Sequence, residues 1–212
     1  MRVFSATSMS FRLPKDLQFF LQAYQQRPVY HTLYSTPLRS RGQSPSSSIA
    51  NSSHGLRRDN FKDGQAHGSR ERWNDHGQLI WRHNYSDGQR HGVSEEWDNQ
   101  GRLTLRTNYK DGQIHGVGEE WNGQGQLKAR ANYKDGQFHG LDEGWNDQGR
   151  LIWRGNYKDG QFHGLRQGWY NQGQLRWRGN YKDGQKHGLS EGWTDQGQLI
   201  WRNNYKDGRL DD

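Results

Sequence analysis

Residues 55–212 predict an all-β fold, an elongated single-layer antiparallel β-meander of tandem 24-residue hairpins. Three observations carry that expectation. The first is periodicity. An aromatic residue returns every 24 positions at Phe61, Tyr85, Tyr109, Tyr133, Tyr157, Tyr181 and Tyr205, and Trp73, Trp97, Trp121, Trp145, Trp169 and Trp193 follow the same spacing. Self-similarity at a fixed period of roughly 20–50 residues marks a repeat array. The second is turn chemistry. Three residues after each of those Phe and Tyr positions stands a glycine (Gly64, Gly88, Gly112, Gly136, Gly160, Gly184 and Gly208), always preceded by Asp. Asp-Gly between alternating runs is a strong hairpin signal. The third is the alternation itself, as in Leu151–Tyr157 and Phe162–Trp169.

The chain opens with a segment of another kind. Residues 1–54 hold all four prolines and a serine-rich run from Ser44 to Ser53, which reads as a flexible linker. Within this segment, 14–26 fits one short helix. Pro14 suits the first helical position, and Leu17, Phe20, Leu21 and Tyr24 share a face. Such a helix is read as a cap on the sheet or part of a disordered extension. The alternatives are an Arg/Ser-rich organelle transit segment and a membrane-surface helix.

The array then starts with an incomplete unit, Gly55 to Phe61, as terminal repeats do. Each full unit supplies two strands and two turns, giving a meander of roughly thirteen strands about 60 Å long. Register depends on the Asp-Gly loop. A two-residue loop at Asp159-Gly160 pairs Tyr157 with Phe162 and splits the aromatics between faces. A three-residue loop pairs Tyr157 with Gln161 and gathers Leu151, Trp153, Tyr157, His163, Leu165 and Trp169 on one face. Burial should favour the grouped arrangement, so three residues are expected there, and again at Asn171-Gln172-Gly173. The opposite face then carries Arg154, Asn156, Gly164 and Gly168. After Tyr205-Lys206-Asp207-Gly208 the return strand is missing, which leaves an open edge that Asp211 and Asp212 protect by charge.

Composition bounds the function. The net charge of +7 lies entirely in residues 1–58, which carry eight basic residues and one acid; the remaining 22 basic and 22 acidic residues cancel. A neutral array has no net pull on phosphate, which weighs against nucleic acid. There are no cysteines, so disulfides and thiolate metal sites are excluded. Absence of a secretory h-region and of any span-length apolar run points to the cytoplasm, with organelle import through the N-terminal segment as the alternative.

The recurrent polar residues invite chemical readings. His67, His91, His115, His139, His163 and His187 lie two strands apart in successive units, about 9.6 Å, too far for neighbours to share an ion. They are expected to pack beside Tyr or Trp. Each Asp-Gly turn supplies one carboxylate, too few for calcium. Adjacent Glu95/Glu96 and Glu119/Glu120 point to opposite faces and are expected to pair with the Arg82, Arg106, Arg130, Arg154, Arg178 and Arg202 rungs. Identical rungs make a periodic surface, whereas catalysis needs unlike groups at one point. No enzyme activity, metal or cofactor is expected.

The segment Gly155-Asn156-Tyr157-Lys158-Asp159-Gly160-Gln161-Phe162-His163-Gly164 resembles the core of a MORN repeat, and the following Trp-x-Asp/Asn-x-Gly-x-Leu is similar to variant MORN repeats of bacterial and viral proteins, including YwqK-type antitoxins. The usual Gly two residues after His-Gly is absent; Gly144, Gly168 and Gly192 fall four after it instead. The resemblance implies an elongated hairpin array used for binding. The expected function is a protein-interaction scaffold with an aromatic face. That face comprises Trp73, Trp81, Trp97, Trp121, Trp145, Trp153, Trp169, Trp177, Trp193 and Trp201 with Tyr85, Tyr109, Tyr133, Tyr157, Tyr181 and Tyr205. The alternatives are neutralisation of a toxin partner, as the antitoxin resemblance implies, and attachment to acidic lipid. Homo-association through the edge strand is a further expectation.

Overall fold

The computed structural model describes residues 46–52 and 55–211, so the expected helix over 14–26 and most of the basic segment lie outside the described residues. Those described form one open antiparallel sheet of seventeen strands in a meander, with no helix among them. The count exceeds the expectation for two reasons. Two outer strands are interrupted, giving Gln65–Ala66 with Gly68–Trp73 and Gln161–Phe162 with Gly164–Trp169. Two further strands, Ser46–Ser52 and Arg209–Leu210, lie at the sheet ends.

Ser46–Ser52 corrects the linker reading. It pairs in unbroken register with the first array strand, from Ser46↔Phe61 to Ser52↔Gly55. Serine-rich composition argues that a segment cannot build a core. It says nothing against lying on an edge whose backbone N–H and C=O groups need partners. At the other end, Tyr205↔Leu210 and Lys206↔Arg209 supply a two-residue return strand where none was expected.

The Asp-Gly turn corrects the expected loop length. Tyr157 pairs with Phe162 and Lys158 with Gln161 around a two-residue loop. Asp159 has φ 49° and Gly160 φ 78°, and all seven Asp-Gly turns share this left-handed pair. That is a type I′ turn, whose twist matches the flanking strands; Asp and Gly tolerate it best. Grouping the apolar residues on one face is favoured only where a second layer buries that face, and none does so among the described residues. The second turn is as expected: Trp169 pairs with Leu175 across Asn171-Gln172-Gly173. Its Gly173 N–H donates to Tyr170 O at 2.8 Å, and Gly173 sits at φ 96°.

Between the turns lies a bulge that the repeat spends on His-Gly. Tyr181 pairs with Lys186 and Gly179 with Ser190, so Asn180 faces three residues, His187 to Leu189. Two extra residues preserve the parity of the strand. Parity therefore sorts the side chains into two faces. Trp81, Trp153, Trp177 and Trp201 share one with the tyrosines. Trp73, Trp97, Trp121, Trp145, Trp169 and Trp193 share the other with the arginines, as do Leu165 and Leu189. The single aromatic face expected from sequence is thus two, and Gly168 changes sides as well, pairing with Trp177. Among the described residues only Ala129, Ala131 and Tyr133 are buried apolar side chains.

Candidate binding faces

On the tyrosine face, the type I′ register brings Tyr rings beside the residue that follows each turn. The result is a continuous aromatic ladder. Ring centroids are 4.7 Å apart for Tyr133–Phe138, 4.9 Å for Phe138–Tyr157, 4.4 Å for Tyr157–Phe162 and 5.6 Å for Phe162–Tyr181. Contacts of this kind exceed simple area burial by roughly 0.5–1.5 kcal/mol each. A second row runs parallel to it. The indoles of Trp153, Trp177 and Trp201 lie over Gly144, Gly168 and Gly192, where an added Cβ would fall inside the ring. Glu96 and Glu120 at the same position face Leu105 and Ala129 on the following strand, while Trp81 faces Arg72 and Glu96. The glycines four residues after His-Gly at Gly144, Gly168 and Gly192 therefore make room for the indoles of Trp153, Trp177 and Trp201.

Between the two aromatic rows runs a buried floor. Ser94, Thr107, Ala131, Gly155, Gly179 and Ser190 are small members of it, flanked by taller rings. Arg70, His83, Asp142 and Arg166 are its charged or titratable members. Arg166 is 8% exposed and lies 3.6 Å from the Phe162 centroid, with Trp177 at 5.5 Å and Tyr181 at 5.8 Å. Burial raises the Asp142 carboxyl to about 7, against the pull of Arg166 and with a push from Glu143. Burial likewise raises the Tyr157 hydroxyl, with Asp142 adding to it. His83 is lowered to about 3 by burial, then by Arg90 and Arg70. Neutral His83 stacks on Trp81 with centroids 4.5 Å apart, and its Nδ1 lies 3.2 Å from the Arg90 guanidinium. Sequence reasoning missed this floor. Its signal was present as the positions where the repeat varies, between invariant neighbours.

The arginine face is a charge ladder. Glu143 accepts from Arg130 and Arg154, and Glu191 from Arg178 and Arg202, with both carboxylates almost wholly covered. Glu71 bridges Arg58 and Arg82 in the same way. Burial pushes the Glu143 carboxyl up, but the hydrogen bonds and charges of its arginines outweigh that and hold it below the usual range; the same balance holds for Glu191. Several of these arginines also lie over a tryptophan, as Arg82 over Trp97 at 5.9 Å, Arg130 over Trp145 at 5.7 Å and Arg178 over Trp193 at 5.5 Å. Of the glutamates expected from the sequence to pair with the arginine rungs, Glu95 does so with Arg106 and Arg82, whereas Glu120 bonds Lys128 instead.

The histidines differ from expectation. Their Nδ1 atoms lie 3.2–3.5 Å from a carboxylate oxygen of the next turn, as His139 to Asp159 and His163 to Asp183, instead of against Tyr or Trp. The bulge carries each His toward the turn row, beside the Asp of the following turn. No cluster of three or more His, Cys, Asp or Glu suited to a metal ion occurs among the described residues. No described helix is long and apolar enough to cross a membrane.

Fold and faces together define a tandem β-hairpin repeat protein built as an open single sheet. No family model matches the chain, and no curated protein does. Among solved structures, it is similar to a chain in the crystal structure of accessory secretory protein 1,2 and 3 in Streptococcus pneumoniae. Identity is 19% and the TM-score 0.30, over 59% of this chain and 24% of that one.

Proposed function

We propose that this chain is a non-enzymatic binding module that takes a protein segment along its tyrosine face, between the ring ladder and the Trp153–Trp177–Trp201 row. The observation that carries this reading is the pair of aromatic rows, most of their rings half-buried, in a sheet with no second layer among the described residues. Trp and Tyr are the anchor types that dominate protein interfaces, and Arg166 in the floor is a third. The rungs repeat, so the surface suits an extended partner better than a reaction centre. The unit is read as a variant MORN hairpin on its Asp-Gly, His-Gly and Trp positions.

The test begins with residues 1–212 as bait in native lysate, followed by calorimetry between the purified chain and the captured protein. The control is Trp177→Ala, checked for folding by circular dichroism. Loss of roughly tenfold or more in affinity in a folded control supports the tyrosine face. An unchanged affinity assigns the contact elsewhere and sinks the reading.

A further inference from the structure

The arginine face alternates in charge and breaks that alternation at one rung inside the array. By register, Glu71, Glu95, Glu119, Glu143 and Glu191 each stand between two arginines. The same place between Arg154 and Arg178 is held by Gln167. Four of those carboxylates are met from both sides: Glu71 by Arg58 and Arg82, Glu95 by Arg82 and Arg106, Glu143 by Arg130 and Arg154, and Glu191 by Arg178 and Arg202. Around Gln167 the two arginines turn apart instead. Arg154 Nε donates to Glu143 at 2.8 Å and Arg178 Nε to Glu191 at 2.5 Å, each on the side away from Gln167.

A second departure falls on the same strand. Trp73, Trp97, Trp121, Trp145 and Trp193 each lie under the guanidinium of the arginine fifteen residues earlier, at 5.4–5.9 Å. Trp169 has no cation at such a distance among the described residues, because Arg154, fifteen residues before it, is held against Glu143. Charge is uneven here too. Residues 151–182 hold six basic residues and one acid, Asp159, inside an array whose charges cancel, and Gly164–Trp169 contains no acid. The neutrality of the array is an average that conceals a basic stretch.

We infer that the rung at Gln167 is a binding site for a carboxylate of an acidic protein segment, which enters between Arg154 and Arg178 with Trp169 as the adjoining ring. These arginines stand two strands apart, about 9.6 Å between backbones, the spacing across which Glu143 joins Arg130 to Arg154. A guest Asp or Glu meets the arrangement that the chain's own glutamates use, at the rung where the chain supplies none. Guanidinium groups suit such planar two-oxygen partners. Both side chains are open to a guest, Arg154 at 48% and Arg178 at 44% exposed. The site lies on the opposite face from the tyrosine ladder and does not depend on it.

The probe is a short fluorescein-labelled peptide of alternating Glu and Gly, titrated against the 212-residue chain by anisotropy at physiological ionic strength, beside a matched Gln-Gly peptide. The Glu peptide is expected to bind saturably and at least roughly tenfold more tightly than its Gln match. Gln167→Glu fills the gap with the chain's own carboxylate and should weaken Glu-peptide binding at least roughly tenfold. The variant restores the residue found at this place in five other units, and circular dichroism checks its fold. If it does not fold, the peptide pair against the native chain decides alone. The basic N-terminal segment attracts the same peptide, so equal binding to the native chain and the folded variant places the contact there and overturns the inference. Equal binding of the two peptides overturns it as well. Labelled oligothymidylate that binds more tightly than the Glu peptide, and is lost in Gln167→Glu, overturns it in favour of a phosphate ligand.

Discussion

Asp142 shows how one residue in a repeat sets a local pH response. Its folded pKa is raised to about 7 from an ordinary 3.8, chiefly by burial. The unfolded chain releases that proton first, so between those values the folded state binds more protons and stability falls as pH rises. Above about 7 both states are ionised and the full cost remains. Replacing Asp142 by Asn removes the charge. The variant is expected to gain roughly 1–2 kcal/mol at pH 8, with the gain shrinking as pH falls toward 4. Urea unfolding followed by tryptophan fluorescence at pH 4, 6 and 8 reads this. A gain equal at all three would show that packing, and not ionisation, is responsible. Glu143 and Glu191 run the other way: their lowered pKa values contribute stability above the ordinary Glu range that is lost as they protonate.

The hairpin is the element that decides register, and the Asp-Gly turn decides the hairpin. From Gly88 onward each turn Gly also donates its N–H to the carbonyl of the preceding unit, as Gly160 to Phe138 O and Gly184 to Phe162 O at 2.9 Å, so turns are tied to one another along the sheet edge. At Asp159, φ is 49°. Asn should be tolerated there. Val, branched at Cβ and poorly suited to the left-handed region, is expected to destabilise by about 1–2 kcal/mol. Hydrogen exchange localises the effect: amides of Leu151–Lys158 and Gln161–Phe162 should lose protection before those of distant units. Uniform loss across the array would contradict a local role for the turn. The turn's identity was legible from Asp-Gly alone, but its length was misjudged. The misjudgement came from assigning Leu165 and Trp169 to the Trp153 face, where no packed layer exists to enforce it.

At the scale of the molecule, strands touch only their neighbours in the chain. Stability is then close to a sum of units and nearest-neighbour interfaces. Deleting residues 157–180 joins Asn156 to Tyr181 and restores the repeat sentence without a seam. The shortened chain is expected to fold, with a urea m-value lower by about a sixth and a lower midpoint. An unfolded or aggregated product would mean that the array depends on a particular unit, with the Arg166 floor position the first suspect.

Period, strand identity, turn positions and the Arg–Glu ladder were determined by the sequence itself, because each depends on residues within a few positions or one repeat of each other. The resemblance to a hairpin repeat rests on those same local signals. What only the tertiary structure decided were the faces. The type I′ turn sets the register, the two-residue bulge at His-Gly leaves the parity unchanged, and alternate tryptophans therefore fall on opposite sides. The same step set Asp142, His83 and Arg166 between aromatic rows and placed the histidines beside the turn aspartates. Register is a relation between strands, fixed by backbone twist and hydrogen bonding across the pair. The pattern along a single strand constrains it only where one face is buried beneath a second layer, and among the described residues no second layer covers either face of this sheet.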